Sequence, residues 1–208
     1  MRLTPVLRGA PYPVVVADEI IGAVFGRHLA SHGFLFVAAK PQGPWSQFPH
    51  AAMVDDPLDL VFGLDLLEAG ELGVPADAVD AARSGVVGHS FGSWNALMLA
   101  GAGVDPERFR RTCAERPEGW STDWWRYVCA TPGRWASFEA RAREVGLVPP
   151  TGLWERFGDA RFAAAMALGP EGFDRTGPAG LACVDVPVLL VGAGAKRRPP
   201  RVLRRWSP

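Results

Sequence analysis

One short stretch of the chain reads Gly-His-Ser-Phe-Gly, a spacing typical of a serine held on a sharp turn between a strand and a helix. A serine hydroxyl is a poor nucleophile at neutral pH, so catalysis requires an exposed Oγ, an adjacent base and donors for the oxyanion. Gly88 and Gly92 omit side chains where the strand end and the helix start crowd together. The pattern predicts a nucleophile elbow. In such an elbow, we expect Ser90 to attack the substrate and His89 to pack beside the turn. We expect the backbone N–H of Phe91 to face the negative charge that develops on the substrate.

The sequence on each side of this elbow has the expected character. An apolar strand with Val86 and Val87 runs directly into it, and a helix with apolar Leu97, Met98 and Leu99 runs out of it. A five-residue match also arises by chance in a glycine-rich chain, where it would be an ordinary glycine turn. The strand before the motif and the helix after it favour the elbow.

Strand and helix patterns alternate along the chain around the elbow. Short apolar or β-branched runs predict strands, and apolar residues at helical spacing predict helices. Strands are predicted at residues 14–17, 34–39, 84–88, 161–168 and 186–191, and helices at residues 21–31, 56–67 and 94–102. This alternation is typical of a doubly wound α/β fold with a mostly parallel sheet. For the second helix, Asp55 or Asp56 is the expected N-cap and Pro57 lies in the first turn.

A tryptophan-rich segment, residues 103–159, interrupts this alternation. It contains Trp120, Trp124, Trp125, Trp135 and Trp154. We interpret it as a cap over the active site, whose tryptophans either line an apolar substrate pocket or fill a small core; the sequence leaves both open. We predict one α/β domain over residues 1–195, including this cap-like segment, and a basic, arginine- and proline-rich tail over residues 196–208.

Composition and charge narrow the class of partner. The chain has 208 residues, 48% of them hydrophobic, with 22 basic and 22 acidic residues. This balance gives no overall attraction to nucleic acid or to an anionic membrane, and no apolar run reaches the roughly 18 residues of a membrane span. Because no N-terminal signal pattern is visible, the expected location is the cytoplasm. A small molecule is the expected partner.

The three cysteines do not have the spacing of a zinc site. Cys113 and Cys129 both lie in the tryptophan-rich segment. They would form a disulfide in an oxidising compartment or remain two free thiols, and the sequence leaves both alternatives open.

Several segments together resemble a known family. They are residues 13–16 (PVVV), 29–34 (LASHGF), 56–67, and the elbow followed by 100–102 (AGA). Over about residues 11–192 the chain resembles the bacterial dienelactone-hydrolase-like and platelet-activating-factor-acetylhydrolase-like esterases of the α/β-hydrolase superfamily. The setting of Cys113 also fits that group. The resemblance implies hydrolysis of small carboxylic esters through an acyl-enzyme on Ser90, with a histidine as base, an acid to orient it, and no metal or organic cofactor.

The chain departs from that family at the expected acid and base. Family members carry the triad in the order Ser, acid, His, but no histidine follows His89 here, and Ala195 takes the place of the expected aspartate. The acid would instead be Glu171 or Asp174, and the alternative is that both are surface carboxylates. His50 lies in a predicted loop that could approach the serine.

Other parts of the family's fold are reduced or not recognisable in the chain. Its loop for a second oxyanion donor is short, which leaves Glu19 or Ile20 as candidate donors. Its first edge strands and its last strand, histidine loop and helix are not found, so an exposed sheet edge favours self-association. Two classes of function remain. One is a serine esterase, and the other is a catalytically inactive, truncated hydrolase-like fragment or a module that binds apolar ligands.

Overall fold

A parallel β-sheet forms the centre of the computed structural model, which describes residues 9–39, 52–129, 132–149, 151–154, 158–171 and 173–192. Within these residues the sheet has five strands in the order β2-β1-β3-β4-β5, and every neighbouring pair is parallel. The strands are β1 Tyr12–Asp18, β2 Leu35–Ala39, β3 Val79–His89, β4 Phe162–Leu168 and β5 Val188–Val191. The prediction of an α/β fold is confirmed at this level, because each strand overlaps one of the predicted apolar runs, although β3 begins at Val79, five residues before the predicted start.

Helices connect the strands in the described part of the chain. They are α1 Glu19–Ser31, α2 Ala52–Glu68, α3 Phe91–Leu99, α4 Pro106–Ala114, α5 Thr122–Cys129, α6 Pro132–Glu144 and α7 Phe173–Leu181. Because parallel crossovers are right-handed, α1 lies on one face of the sheet and α2 and α3 lie on the other. The packing agrees. Leu64 of α2 and Leu99 of α3 share one buried cluster with Val14 and Val86 of the sheet, whereas Gly22 of α1 lies close to the Phe36 ring of β2.

The direction in which the chain winds reverses between β1 and β3. From β1 the chain crosses through α1 to β2 on one side, and from β2 it crosses through α2 to β3 on the other side of β1. Such a switch point opens a crevice at the carboxyl ends of the strands, where ligands bind in open α/β sheets. Asp18 ends β1 and His89 ends β3 at this crevice. We call this side of the sheet the carboxyl edge.

The start of α2 differs from the prediction. The helix begins at Ala52, so Asp55 and Asp56 lie inside it and are not N-caps, and Pro57 is an interior residue. A proline has no N–H for the carbonyl four residues before it, here that of Met53. The indole Nε1 of Trp94 donates a hydrogen bond to that carbonyl at 3.0 Å. A side chain from α3 therefore supplies the donor that Pro57 lacks, and the helix runs through the proline.

The tryptophan-rich segment forms α4, α5 and α6 in its described residues. Trp135 stacks on Phe109 with ring centroids 4.5 Å apart, and it also contacts Phe138 and Trp154 at 5.3 Å each. Trp135, Phe138 and Trp154 join Trp94 in one cluster, which we call the aromatic core. For Trp135 and Trp154, the structure thus favours a packed core over a pocket lining. Cys113 and Cys129 form a disulfide that links α4 to α5.

Two further findings bear on partners. None of the helices in the described residues is both long and apolar enough to cross a membrane. At the β5 edge of the sheet, Leu189 and Val191 remain 44% and 42% exposed. Self-association through that edge stays a prediction.

Candidate active site

Ser90 occupies the turn between β3 and α3. Its backbone has φ 53° and ψ −116°, and among the described residues it is the one non-glycine position with positive φ. Such a conformation costs free energy in an L-residue and persists where the surroundings fix it. Here the Ser90 N–H donates to the carbonyl of Leu168 at the end of β4, at 2.8 Å. The serine is therefore held at the carboxyl edge by β3, β4 and α3 together.

Two glycines make this turn sterically feasible. A Cβ at Gly88 would collide with the carbonyl group of Gly92, in the first turn of α3. A Cβ at Gly92 would in turn collide with the carboxylate of Asp18, which ends β1. A side chain at either position would push the strand, the helix or Asp18 away from the turn.

Glu171 is the carboxylate that contacts the serine. It follows the end of β4, and the Ser90 hydroxyl donates a hydrogen bond to Glu171 Oε1 at 3.1 Å. The Glu171 N–H donates to Ser93 Oγ at 3.1 Å, and the Ser93 hydroxyl donates to the backbone carbonyl of Ser90. Ser93 is fully buried in α3. The glutamate is thus tied to the elbow through both its side chain and its backbone.

Asp174 lies apart from this contact. It is 8% exposed, so the alternative of a surface carboxylate is wrong for this residue. Its Oδ2 lies 3.5 Å from Nε of Arg175. The Arg175 guanidinium lies over the rings of Trp94 and Phe109, at 5.8 and 5.7 Å from their centroids. Of the two candidate acids, the structure places Glu171 at Ser90 and Asp174 beside the aromatic core.

The described histidines do not hydrogen bond to Ser90. His89 is exposed, and its Nε2 lies 4.0 Å from the position that a Cβ of Gly169 would take, above the end of β4. His28 and His32 contact each other at the far end of α1, with ring centroids 4.3 Å apart. His50 lies outside the described residues. Among the described residues, the group beside the serine hydroxyl is therefore a carboxylate.

Two helix N-termini meet at the carboxyl edge near Ser90. Phe91 is the first residue of α3, and α1 begins at Glu19 directly after β1, without an intervening loop. Asp18 caps α1, since its Oδ1 accepts from the Ile21 N–H at 3.0 Å. Helix N-termini carry partial positive charge and stabilise anions. The predicted oxyanion residue Phe91 and the candidate donors Glu19 and Ile20 all lie in these first turns.

A second group of acidic residues, not predicted from the sequence, lies at the same edge. A small cavity is lined by Asp18, Ala39, Asp56, Asp59, Leu60 and Asn95, and we call it the acidic cavity. Burial, with repulsion from Asp59, Asp55 and Asp18, raises the pKa of Asp56 to about 6, and a hydrogen bond from Asn95 offsets part of that rise. Burial, and then repulsion from Asp55, also raises the pKa of Asp59. The available signal was the i,i+3 spacing of Asp56 and Asp59, which places both on one face of a helix.

Across the described ranges, no group of three or more His, Cys, Asp or Glu side chains is arranged to hold a metal ion. Comparison of the chain with models of known protein families and with curated proteins gives no match.

Proposed function

We propose that this protein is a serine hydrolase of the α/β-hydrolase fold that cleaves small carboxylic esters through an acyl-enzyme on Ser90. One observation carries the proposal: a serine in a positive-φ turn between a strand and a helix donates its hydroxyl to a carboxylate at 3.1 Å. The parallel sheet, with the turn after its central strand, is additional support.

In the acylation step, Ser90 Oγ attacks the carbonyl carbon of the ester. Its proton passes to Glu171, which already accepts the hydroxyl hydrogen bond. Negative charge then develops on the carbonyl oxygen, next to the Phe91 N–H at the start of α3. As the carbon–oxygen bond to the leaving group breaks, the proton moves from Glu171 to the departing alkoxide, which leaves as the alcohol.

Deacylation repeats the same proton movements with water. Glu171 removes a proton from a water molecule as its oxygen attacks the acyl carbon. The bond to Ser90 Oγ then breaks, and the proton returns to that oxygen. The products are the carboxylic acid and the free enzyme, so one ester and one water give one acid and one alcohol.

Glu171 thus takes the place that a histidine holds in the usual triad. A carboxylate is a weaker base than an imidazole, so we expect slower turnover than a complete triad supports. The link from the Glu171 N–H to Ser93, and from Ser93 to the Ser90 carbonyl, fixes the glutamate relative to the turn. Because the glutamate is positioned before the substrate binds, part of the rate lost through its weaker basicity is recovered.

Hydrolysis of p-nitrophenyl butanoate tests the proposal. We expect Ser90→Ala to lower kcat/KM by at least about 10³-fold, and Glu171→Gln by about 10²-fold or more, because each removes a reacting group. Ser31→Ala is the matched control, since Ser31 is exposed at the far end of α1. A fluorophosphonate probe should label the wild type at Ser90. Equal rates in wild type and Ser90→Ala would rule the proposal out.

A catalytically inactive hydrolase-like protein is the second candidate. The observation in its favour is that none of the described histidines reaches Ser90. It predicts no turnover and no labelling of Ser90 in a protein that unfolds cooperatively. Binding of apolar ligands by the tryptophans has less support, because Trp135 and Trp154 pack in the aromatic core.

A further inference from the structure

The acidic cavity lies at the carboxyl edge of the sheet, near the turn that carries Ser90. Asp18 and Ala39 end the neighbouring strands β1 and β2, and Asp56 and Asp59 lie near the start of α2. Asp18 also lies directly against Gly92 of the elbow, where no side chain would fit. One residue therefore belongs both to the cavity wall and to the packing of the turn that carries Ser90.

The carboxylates of this cavity lack a positive partner among the described residues. Nearby Asp55 forms an ion pair with Arg141 of α6, at 2.7 Å. Among the described residues, the structure shows no such pair for Asp18, Asp56 or Asp59, and the six lining residues include no basic side chain. Asp56 is buried, whereas Asp18 and Asp59 are half-buried. Neighbouring carboxylates repel each other, most strongly where burial reduces their screening, and a bound cation relieves that repulsion.

Asn95 gives independent evidence for a ligand. It lines the cavity and is only 3% exposed. Its amide makes a hydrogen bond with Asp56, but its Oδ1 is buried and has no hydrogen-bond partner among the described residues. A buried carbonyl oxygen without a donor costs free energy. Because Asn95 lines the cavity, a hydrogen-bond donor that enters the cavity is the candidate for the missing partner.

The size and chemistry of the cavity select the class of donor. It has room for a group about the size of one water molecule. The carboxylates are not arranged as metal ligands, whereas an ammonium group has three donors and tolerates looser geometry. We propose that the acidic cavity binds the primary ammonium group of the substrate, so that the esters cleaved at Ser90 carry an amine. This inference rests on the proposed function.

Cation binding should depend on pH. The charged groups around Asp56 are Asp18 on β1, Asp55 and Asp59 on α2, and Arg141 on α6, which pairs with Asp55. An ammonium group binds the ionised form of Asp56 best. Since the pKa of the Asp56 carboxyl is about 6 without a ligand, affinity should be full above pH 7 and fall as the pH drops below 6.

The kinetic test compares esters that differ at the position of the amine. The substrates are the p-nitrophenyl esters of 3-aminopropanoate and 6-aminohexanoate, the length-matched butanoate and heptanoate, and the N-trimethyl forms of the amino esters. We expect wild type to favour one primary amino ester over its alkyl match by at least about tenfold in kcat/KM. Asp56→Asn should lower that ratio about tenfold, and Asp77→Asn, an exposed carboxylate elsewhere, should leave it unchanged. Hydrolysis without any such preference overturns the inference.

A binding test separates this inference from the proposed function. We expect propylammonium to raise the Tm of wild type in proportion to the logarithm of its concentration, and to have no such effect on Asp56→Asn. Tetramethylammonium should not raise it, because the methyl groups exceed the cavity. If no ester is hydrolysed, the proposed function fails, but a Tm rise with propylammonium still supports the cation site. The inference of an ammonium site is overturned if propylammonium does not raise the Tm, or if only Mg²⁺ or Ca²⁺ raises it.

Discussion

The carboxyl edge of the sheet and the aromatic core have opposite effects on the stability of the fold. At the edge, Ser90 holds a positive φ, and Asp56 is buried beside other carboxylates. In the aromatic core, Trp94, Phe138 and Trp154 are at most 3% exposed, and their rings pack in direct contact. Backbone strain and like charges cost stability, whereas buried aromatic surface supplies it. The comparison indicates that burial in the aromatic core offsets costs that arise at the carboxyl edge.

Trp94 shows how the two regions are joined. Its ring lies in the aromatic core, and its Nε1 donates to the Met53 carbonyl at the start of α2. That helix carries Asp56 and Asp59 into the acidic cavity. The next residue, Asn95, lines the cavity directly. The packing of the Trp94 side chain therefore helps to fix both α3, which follows Ser90, and α2, which carries Asp56 and Asp59.

The largest expected effect is on activity at Ser90, where two substitutions distinguish backbone strain from the proposed catalytic role. Ser90→Gly and Ser90→Ala both remove the proposed nucleophile, so kcat/KM should fall on the order of 10⁴-fold in each. Their stabilities should differ, because glycine adopts positive φ freely and alanine does not. Ser90→Gly should unfold in urea with a free energy about 1 kcal/mol above that of Ser90→Ala. Equal stabilities would show that the turn is not strained.

In the aromatic core the expected effect is on stability. Phe138→Ala removes a ring that is 1% exposed, so the free energy of unfolding should fall by about 3–5 kcal/mol. Phe62→Ala is the matched control on α2, where the ring is 59% exposed, and its cost should be below about 1 kcal/mol. The kcat of folded Phe138→Ala should stay near that of wild type. A lower kcat with unchanged stability would mean that these rings line the substrate site.

The sequence indicated the sheet and the strand, turn and helix around Ser90 better than the side chains that surround this serine. Strand runs and the Gly88 to Gly92 spacing are local patterns, and the structure places a strand, a turn and a helix there. The start of α2 was mispredicted because Pro57 reads as a first-turn residue, and its compensating donor, Trp94, is distant in sequence. A pattern confined to one segment does not contain such a partner.

The acidic cavity was missed for the same reason. Its walls come from β1, β2, α2 and α3, and their residues are adjacent only after folding. Glu171 was named as one of two candidate acids, but its contact with Ser90 depends on the register between β3 and β4. Residue types suggested the chemistry, and tertiary packing decided which side chains meet.

The smallest expected effect is a dependence of stability on pH at Asp56. Burial raises the pKa of this carboxyl to about 6 in the folded protein, against about 3.9 for an aspartate in an unfolded chain. Its favourable contribution is therefore fully present below pH 4 and is lost as the pH rises through 6. Asp56→Asn cannot ionise, and its amide oxygen still accepts from Asn95. At pH 8 the free energy of unfolding of the variant should be higher than that of wild type by on the order of 2 kcal/mol. At pH 5 this difference should be about 1 kcal/mol smaller.

Urea unfolding of wild type, Asp56→Asn and Asp77→Asn at pH 5 and pH 8 measures this difference. Asp77 is exposed, so its substitution should change stability equally at both values. A gain for Asp56→Asn that does not grow with pH would mean that the carboxyl is ionised in both states without penalty. The carboxyl edge would then lack the electrostatic cost that distinguishes it from the aromatic core, and a cation in the acidic cavity would relieve no repulsion at Asp56.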